Sequence, residues 1–288
     1  MKKFKEKLKD VADGFVDVYS VELYMHKYPI VLENKLLENM RKYCGNVDII
    51  ANKESNITFA FMDHILEYKN ANVPTGIAIT IIDEEPDKEK LRKSLEKSWN
   101  YSNKNELIEN CKVKVIVSDF LAIGLEYGKR VELFQKALYA IVEVLPCHLI
   151  NFNITEQLIT REEYLENNPL DEEYDPLFGM LNVRKFHVEG KENEYIMDTL
   201  GLSAIGLCDL QCHYKNLDTN QVSDLLYSYG YYIFENQDAA ENIKEIEGIS
   251  LEGSKWKCQH EVALVEPERI VLDINPGKEF SSEDREEI

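Results

Sequence analysis

The spacing of apolar residues along this chain predicts both strands and helices. Val16–Tyr24 alternates apolar with polar residues, which is typical of a half-buried strand. Gly76–Ile82 is apolar on both faces, which indicates a strand in the middle of a sheet. Apolar residues recur at helical spacing over Tyr127–Leu145, and Thr155–Glu166 is predicted as a shorter helix capped by its threonine. The first half of the chain is therefore predicted to contain both kinds of element.

Strand patterns dominate the second half. Tyr195–Leu200, Leu207–Tyr214 and Ile270–Ile274 all have strand-like patterns, and Asp218 precedes a run with helical spacing as a capping residue would. The links between strands are short, which favours antiparallel or mixed sheets over crossover units. We predict an α+β fold of two α/β-sandwich-like halves. Each half would have a mixed or largely antiparallel sheet, with helices packed on the sheet faces.

Composition divides the chain into five segments. Residues 166–177 contain two prolines and five acids with little periodicity, and we interpret them as an acidic linker. The linker separates an N-terminal α+β half at 15–165 from a C-terminal α+β half at 178–277. A polar lead-in at 1–14 and an acidic tail at 278–288, expected to be disordered, complete the prediction.

The charge balance restricts the partners. The chain has 33 Lys and Arg against 53 Asp and Glu, a formal net charge of −20. Such a surface repels phosphate backbones, so no nucleic acid is expected as a partner, and a basic protein fits better. The chain lacks an apolar run of about 18 residues, and no apolar signal core follows its charged start. We therefore expect a cytoplasmic protein with no membrane contact, and we leave open whether it is a homo-oligomer.

One stretch, Tyr195–Lys215, concentrates glycine, cysteine, histidine and aspartate. Within it, Thr199–Tyr214 has the sequence T-L-G-L-S-A-I-G-L-C-D-L-Q-C-H-Y. This segment resembles the signature of a bacterial family known as domain of unknown function 4261. The resemblance covers roughly residues 15–276 and is most specific in the second half. It implies an intracellular protein of two α/β-type halves, and it implies no established activity.

Two short motifs in this stretch have the residue types of catalytic loops but not their spacing. Gly201 and Gly206 are spaced as in a phosphate-binding loop, but the lysine and hydroxyl that bind phosphate and magnesium do not follow. Ser203 lies in G-L-S-A-I-G, which is one residue longer than a nucleophile elbow. We interpret both motifs as structural, and we predict no catalytic residue.

Cysteine and histidine raise the question of zinc. Cys208 and Cys212 would share a strand face but lie ~13 Å apart, at about 3.3 Å per residue, which is too far for one metal ion. His213 would face the opposite side from Cys212. A site built from Cys212, Cys258 and His260 on two strands is left as an alternative, while the prediction is that the chain has no metal and no cofactor.

The polar face of the strand over residues 207–214 is the best candidate for a binding site. Alternation places Asp209, Gln211 and His213 on one face of this strand. Asp198, on the preceding strand, is the fourth polar candidate. If these side chains converge in an open concavity, they could recognise a ligand.

Tyrosines on the helix after Asp218 provide a second candidate surface. Tyr229 is predicted to join the buried stripe, whereas Tyr227, Tyr231 and Tyr232 are predicted to be partly exposed, as aromatic residues at interfaces are. Together with the acidic surface, this favours a non-enzymatic protein-binding module of adaptor or immunity type. The alternative is an enzyme or small-molecule sensor with a pocket near residues 201–213.

Overall fold

The chain forms two compact units, each built around one β-sheet. The computed structural model describes residues 14–68, 71–97, 104–236, 239–249, 254–277 and 279–282. The N-terminal unit is Asp17–Met180, and the C-terminal unit contains the described residues from Leu181 onward together with residues 14–16. Both units combine strands with helices, so the predicted α+β class is confirmed.

The N-terminal unit has a fully antiparallel seven-stranded sheet. Its strands are β1 (Ser20–Met25), β2 (Val47–Lys53), β3 (Asn56–Tyr68), β4 (Ala71–Ile82), β5 (Val113–Phe120), β6 (Leu149–Phe152) and β7 (Gln157–Thr160). Its helices are α1 (Glu33–Cys44), α2 (Lys88–Lys97), α3 (Lys104–Asn110), α4 (Tyr127–Val144) and α5 (Arg161–Leu165). The strand order is β2-β3-β4-β5-β1-β6-β7.

Helices cover both faces of this sheet. On one face, α4 packs on the sheet through an edge-to-face contact between Phe134 and Tyr19, whose ring centroids are 5.0 Å apart. Helix α1 packs beside α4, and the Asn39 side-chain amide donates to the Ala140 carbonyl at 2.8 Å. Tyr24 faces the other way and joins a buried cluster with residues of α2 and α3. Because β1 lies between these two layers of helices, apolar residues on both of its faces are buried.

The C-terminal unit has a mixed six-stranded sheet. Its strands are β8 (Asn182–His187), β9 (Glu194–Leu200), β10 (Asp209–Lys215), β11 (Glu245–Glu247), β12 (Lys255–Val262) and β13 (Ile270–Asn275). Its helices are α6 (Thr219–Glu235) and α7 (Ala239–Asn242), with one turn of 3-10 helix at Ser203–Ile205. The strand order is β11-β12-β13-β10-β9-β8, in which β10 and β13 are parallel and the other neighbours are antiparallel.

Helix α6 packs against β8, β9 and β10. Asp218 caps the helix, as predicted, and its carboxylate accepts the backbone N–H groups of Asn220 and Gln221 at 2.8 and 3.2 Å. The prediction that Tyr229 joins the buried stripe is wrong, since Tyr229 is half-buried. Gly230 is buried instead, and a Cβ there would lie 2.9 Å from a methyl carbon of Leu181. A side chain at this position would require the Leu181 side chain to shift.

The predicted flanking segments can be located in part. Residues 1–13 of the lead-in and 283–288 of the tail lie outside the described residues. Residues 166–177 form turns within the N-terminal unit, where Leu177 is buried. Residues 279–282 of the tail lie beside β10, where the Lys215 N–H donates to the Phe280 carbonyl at 2.8 Å. Within the described residues, each helix is too short or too polar to cross a membrane.

Two histidine rings stack at the edge of the N-terminal core. His26 follows β1 and His148 precedes β6, and their ring centroids are 3.5 Å apart with 11° between the planes. His26 Nε2 and His148 Nδ1 are buried without a hydrogen-bond partner within the described part of the chain. Burial lowers the pKa of His148 below its ordinary value, and the neighbouring His26 lowers it further.

This pair is expected to make the stability of the N-terminal unit depend on pH. Because the folded-state pKa of His148 is below the unfolded value, the unfolded chain binds more protons as the pH falls. The contribution of neutral His148 is therefore present above the unfolded pKa, about 6.5, and is lost as pH falls through the folded value. We expect the urea midpoint to fall between about pH 7.5 and 5.5, and to fall less in His148→Asn. His187→Asn, at an exposed histidine, should behave as wild type; an equal fall in His148→Asn would contradict the interpretation.

Candidate functional site

The structure brings the predicted polar residues of β9 and β10 together, below the surface. Gln211 lies opposite Asp198 on one side and opposite Asp273 on the other, and Arg184 of β8 lies opposite Asp198. Residues directly opposite one another in paired strands share a face of the sheet. Arg184, Asp198, Gln211 and Asp273 therefore form one row, which we call the polar row. Each of the four is at most 2% exposed.

Two arginines and two aspartates form a buried ion network, which we call the Arg–Asp network. Arg184 binds Asp198 through two parallel hydrogen bonds, Nε to Oδ1 at 3.0 Å and Nη2 to Oδ2 at 2.6 Å. Arg269 links the two carboxylates, donating from Nη2 to Asp198 Oδ2 at 2.9 Å and from Nε to Asp209 Oδ2 at 3.0 Å. Burial raises the pKa of the Asp198 carboxyl, and the two guanidinium groups oppose that rise. Two positive and two negative charges thus balance in a site from which water is excluded.

Asp209 also fixes the turn that follows β9. Its Oδ1 accepts the Leu202 N–H at 3.1 Å and the Thr199 hydroxyl at 3.0 Å, and its Oδ2 accepts the Ser203 hydroxyl at 2.7 Å. The Ser203 hydroxyl is therefore a structural donor. Gly206 ends the 3-10 turn at a φ of 87°, a conformation that favours glycine. The glycines of this segment shape a turn around a carboxylate of the chain itself.

The remaining polar residues of β10 are also paired. Gln211 donates from Nε2 to Asp273 Oδ1 at 3.0 Å, and its Oε1 accepts the Leu264 N–H at 2.9 Å. His213 Nε2 lies 2.9 Å from Glu194 Oε1, with the two side chains 14% and 5% exposed. Asp198 and Asp209 share Arg269, whereas Gln211 and His213 are held by Asp273 and Glu194.

A comparison with protein families places these residues in a known segment. Residues 198–275 match the family model described as Domain of unknown function (DUF4261). This segment of the C-terminal unit is therefore similar to the DUF4261 family. The match confirms the family resemblance predicted from Thr199–Tyr214. No curated protein and no solved structure matches the chain.

The DUF4261 segment contains three members of the Arg–Asp network, namely Asp198, Asp209 and Arg269, while Arg184 lies before it. The sequence reasoning named the two aspartates and missed both arginines. Arg184 could have been noticed in the sequence, because it is a charged residue within the strand N-V-R-K-F-H. A buried aspartate requires a cation nearby, so an arginine on the neighbouring strand could have been predicted as its partner.

The tyrosines of α6 are exposed to different degrees. The Tyr227 hydroxyl accepts the Val183 N–H at 3.4 Å, so this tyrosine packs against β8, and Tyr231 is half-buried. The most exposed tyrosine of α6 is Tyr232, at 47%. Its ring meets Tyr229 edge to face, with centroids 6.3 Å apart. The spacing of three residues along a helix could have indicated this pair.

The cysteines of the DUF4261 segment do not meet at a common point. Cys212 of β10 and Cys258 of β12 both lie opposite Ile274 of the strand between them, β13. The two cysteines are therefore separated by two strand spacings, roughly 10 Å. Within the described residues, no group of three His, Cys, Asp or Glu side chains could hold a metal ion. Burial raises the pKa of the Cys208 and Cys258 thiols to about 12. Both thiols are thus protonated near neutral pH.

An open cleft lies at the β11 edge of the DUF4261 sheet. Its volume is about 1130 Å³, and it is bounded by the end of α6, by α7 and by the strands β11, β12 and β13. We call it the edge cleft. Its lining residues are Tyr232, Asn236, Ala239, Asn242, Ile243, Lys244, Glu245, Lys257, Cys258, Gln259 and Asn275.

Proposed function

We propose that this protein is a non-enzymatic module that binds another protein in the cytoplasm. The observation that carries the proposal is the Tyr229–Tyr232 pair on α6, in which Tyr229 is half-buried and Tyr232 is 47% exposed. Large aromatic side chains that are exposed and held in one orientation are typical anchors of protein interfaces.

The chemistry of the predicted segment supports a non-enzymatic role. The Ser203 hydroxyl donates to Asp209, and His213 is paired with Glu194. The raised pKa of Cys208 and Cys258, about 12, keeps these thiols from acting as nucleophiles at neutral pH. The groups that could have acted as nucleophile or base are thus engaged in structure or protonated.

Charge and cysteine usage support the choice of partner and compartment. A net charge of −20 favours a basic partner, with association that weakens as salt rises. All six cysteines are free thiols, as is usual for proteins of a reducing compartment. The acidic surface would speed association with the partner, while the tyrosine pair would supply most of the binding energy.

The test is to recover the partner from the native cytoplasm in low and physiological salt, and then to measure its affinity for variants. Tyr232→Ala is expected to weaken binding about tenfold or more, as loss of an interface anchor does. Tyr28→Ala removes a tyrosine that is 50% exposed in the N-terminal unit and should leave affinity unchanged. The proposal fails if no partner is recovered at either salt concentration, or if the two variants bind alike.

The alternative function, a small-molecule sensor, is favoured by one observation. The residues near 201–213 are packed into the Arg–Asp network, but the edge cleft offers space of ligand size elsewhere in the same unit.

A further inference from the structure

We propose that the edge cleft binds a small polar molecule that carries a phosphate group. The site goes beyond the protein-binding function proposed above, and either proposal can fail without the other. The inference rests on how the cleft is formed, on the charges around it and on its hydrogen-bonding groups.

The cleft exists because β11 is too short to cover the edge of β12. The three residues of β11 pair only with the start of β12, from Glu247 opposite Lys255 to Glu245 opposite Lys257. On the side of the cleft, the contact ends at the hydrogen bond from the Cys258 N–H to the Lys244 carbonyl at 2.8 Å. Past this point the edge of β12 has no strand beside it among the described residues. The sheet therefore opens where the single turn of α7 leads into β11.

The charges that line the cleft oppose the charge of the chain. Lys244 and Lys257 contribute two positive charges and Glu245 one negative charge, so the lining has a formal charge of 2 − 1 = +1 in a chain of −20. Glu245 also lies 3.8 Å from Lys255, which is outside the lining and offsets part of the negative charge. Lys244 is exposed and makes no ion pair within the described residues. Two lysines at one opening favour an anionic group, such as a phosphate, as a ligand.

The other lining residues suit a polar ligand with many hydrogen-bonding groups. Gln259 and Asn275 carry side-chain amides, each with one atom bonded within the chain: Gln259 Nε2 donates to Glu261, and Asn275 Oδ1 accepts the Gly277 N–H at 3.0 Å. Their other atoms, Gln259 Oε1 and Asn275 Nδ2, can accept from and donate to a ligand. The ring of Tyr232, at the rim, offers an aromatic surface on which a sugar or base could pack. A volume of about 1130 Å³ accommodates a molecule of this size, since small-molecule sites are about 300–1,000 Å³. A sugar phosphate or mononucleotide matches both the cations and the amides.

The floor of the cleft is connected to the polar row. Gln259 lies opposite Asp273 in the β12–β13 pair, and Asp273 accepts a hydrogen bond from Gln211. The polar row thus continues by one residue, from the buried core to the cleft. A strand held in this way gives the ligand a rigid surface, which lowers the entropic cost of binding.

The experiment is calorimetric titration of the full chain with ribose 5-phosphate and AMP, using ribose and adenosine as the uncharged counterparts. Each phosphorylated probe that binds should do so about tenfold or more tightly than its counterpart. The double variant Lys244→Gln/Lys257→Gln should weaken that binding by a similar factor, about tenfold. Lys185→Gln removes the same charge from an exposed position of β8, at the opposite edge of the sheet, and should change affinity by less than about twofold.

Three results would overturn the proposal. The first is that neither phosphorylated probe shows saturable binding at millimolar concentration. The second is that charged and uncharged probes bind with equal affinity. The third is that the double lysine variant binds the phosphorylated probes with unchanged affinity. Thermal unfolding of each variant establishes that it is folded. Loss of the protein partner in Tyr232→Ala, with probe binding absent from wild type, would leave only the protein-binding function.

Discussion

Arg269→Met is expected to lower the free energy of unfolding of the C-terminal unit by about 3–5 kcal/mol, as removal of one partner from a buried ion pair does. Arg269 joins Asp198 to Asp209, and all three side chains are at most 1% exposed. Methionine fills much of the volume but supplies no charge and no donor. Arg184 still neutralises Asp198 in the variant, so the uncompensated charge falls mainly on Asp209. The Thr199 carbonyl, which accepts from Arg269 Nη2 at 2.7 Å, also loses that donor.

The measurement is urea unfolding followed by circular dichroism. Lys255→Met removes one exposed cation of the same unit and should cost less than about 1 kcal/mol. Adding Asp209→Asn to Arg269→Met should recover part of the loss, because it removes the uncompensated charge. A loss below about 1 kcal/mol in Arg269→Met would show that the Arg–Asp network does not hold the unit together.

Asp119→Ala is expected to destabilise the N-terminal unit by a comparable amount, about 3–5 kcal/mol. Asp119, at the end of β5, accepts from Arg130 Nε at 2.6 Å and from the Tyr19 N–H at 2.9 Å. Both ionised side chains are buried, at 5% and 3% exposure. Burial raises the pKa of the Asp119 carboxyl, and the guanidinium of Arg130 opposes that rise. Without the carboxylate, Arg130 remains as a buried cation between β5 and α4.

Unfolding in urea again measures the effect, with Asp48→Ala as the matched control. Asp48 pairs with Arg41 at 2.7 Å, but both side chains are about half exposed, so the loss should be below about 1 kcal/mol. The double variant Asp119→Leu/Arg130→Met should be more stable than Asp119→Ala, because it leaves no unpaired charge. Similar losses for Asp119→Ala and Asp48→Ala would contradict this account.

Elements whose signal is local were predictable from the sequence. Val113–Phe120 forms β5, with every second residue buried, because alternation along a strand reports directly on a half-buried sheet. The helix over Tyr127–Val144 also follows its predicted stripe. These patterns repeat within a few residues, so they can be recognised without knowing which strand or helix packs against the element.

The region Thr155–Glu166 shows why other elements were missed. The predicted helix is wrong for its first half, where Gln157–Thr160 forms β7 by pairing with β6. Thr155 does not cap a helix, since its hydroxyl donates to the Gly179 carbonyl at 2.6 Å. The helix begins only after Thr160, which forms a reciprocal capping box with Glu163. The glutamate three positions after Thr160 was the available signal, whereas strand pairing depends on residues elsewhere in the chain.

The strand face that the candidate residues share was predictable from the sequence, but the burial of that face was not. Alternation correctly placed Asp209 and Gln211 on one face of β10, since period two is a property of the strand itself. Whether that face is open depends on what lies over it. Arg269 reaches Asp209 from 60 residues away, and Leu264 reaches Gln211 from 53 residues away. Contacts at such separations leave no periodic trace in the sequence.

The position of β13 has a consequence for synthesis of the chain on the ribosome. Among the described strands it is the last in the sequence, yet it lies between β12 and β10 in the sheet. Arg269 directly precedes it, so a nascent chain that has not reached this residue has Asp209 without its cation. The C-terminal unit therefore cannot be completed strand by strand as it emerges. Its charge balance and the centre of its sheet are completed together, after the other described strands of the unit have been translated.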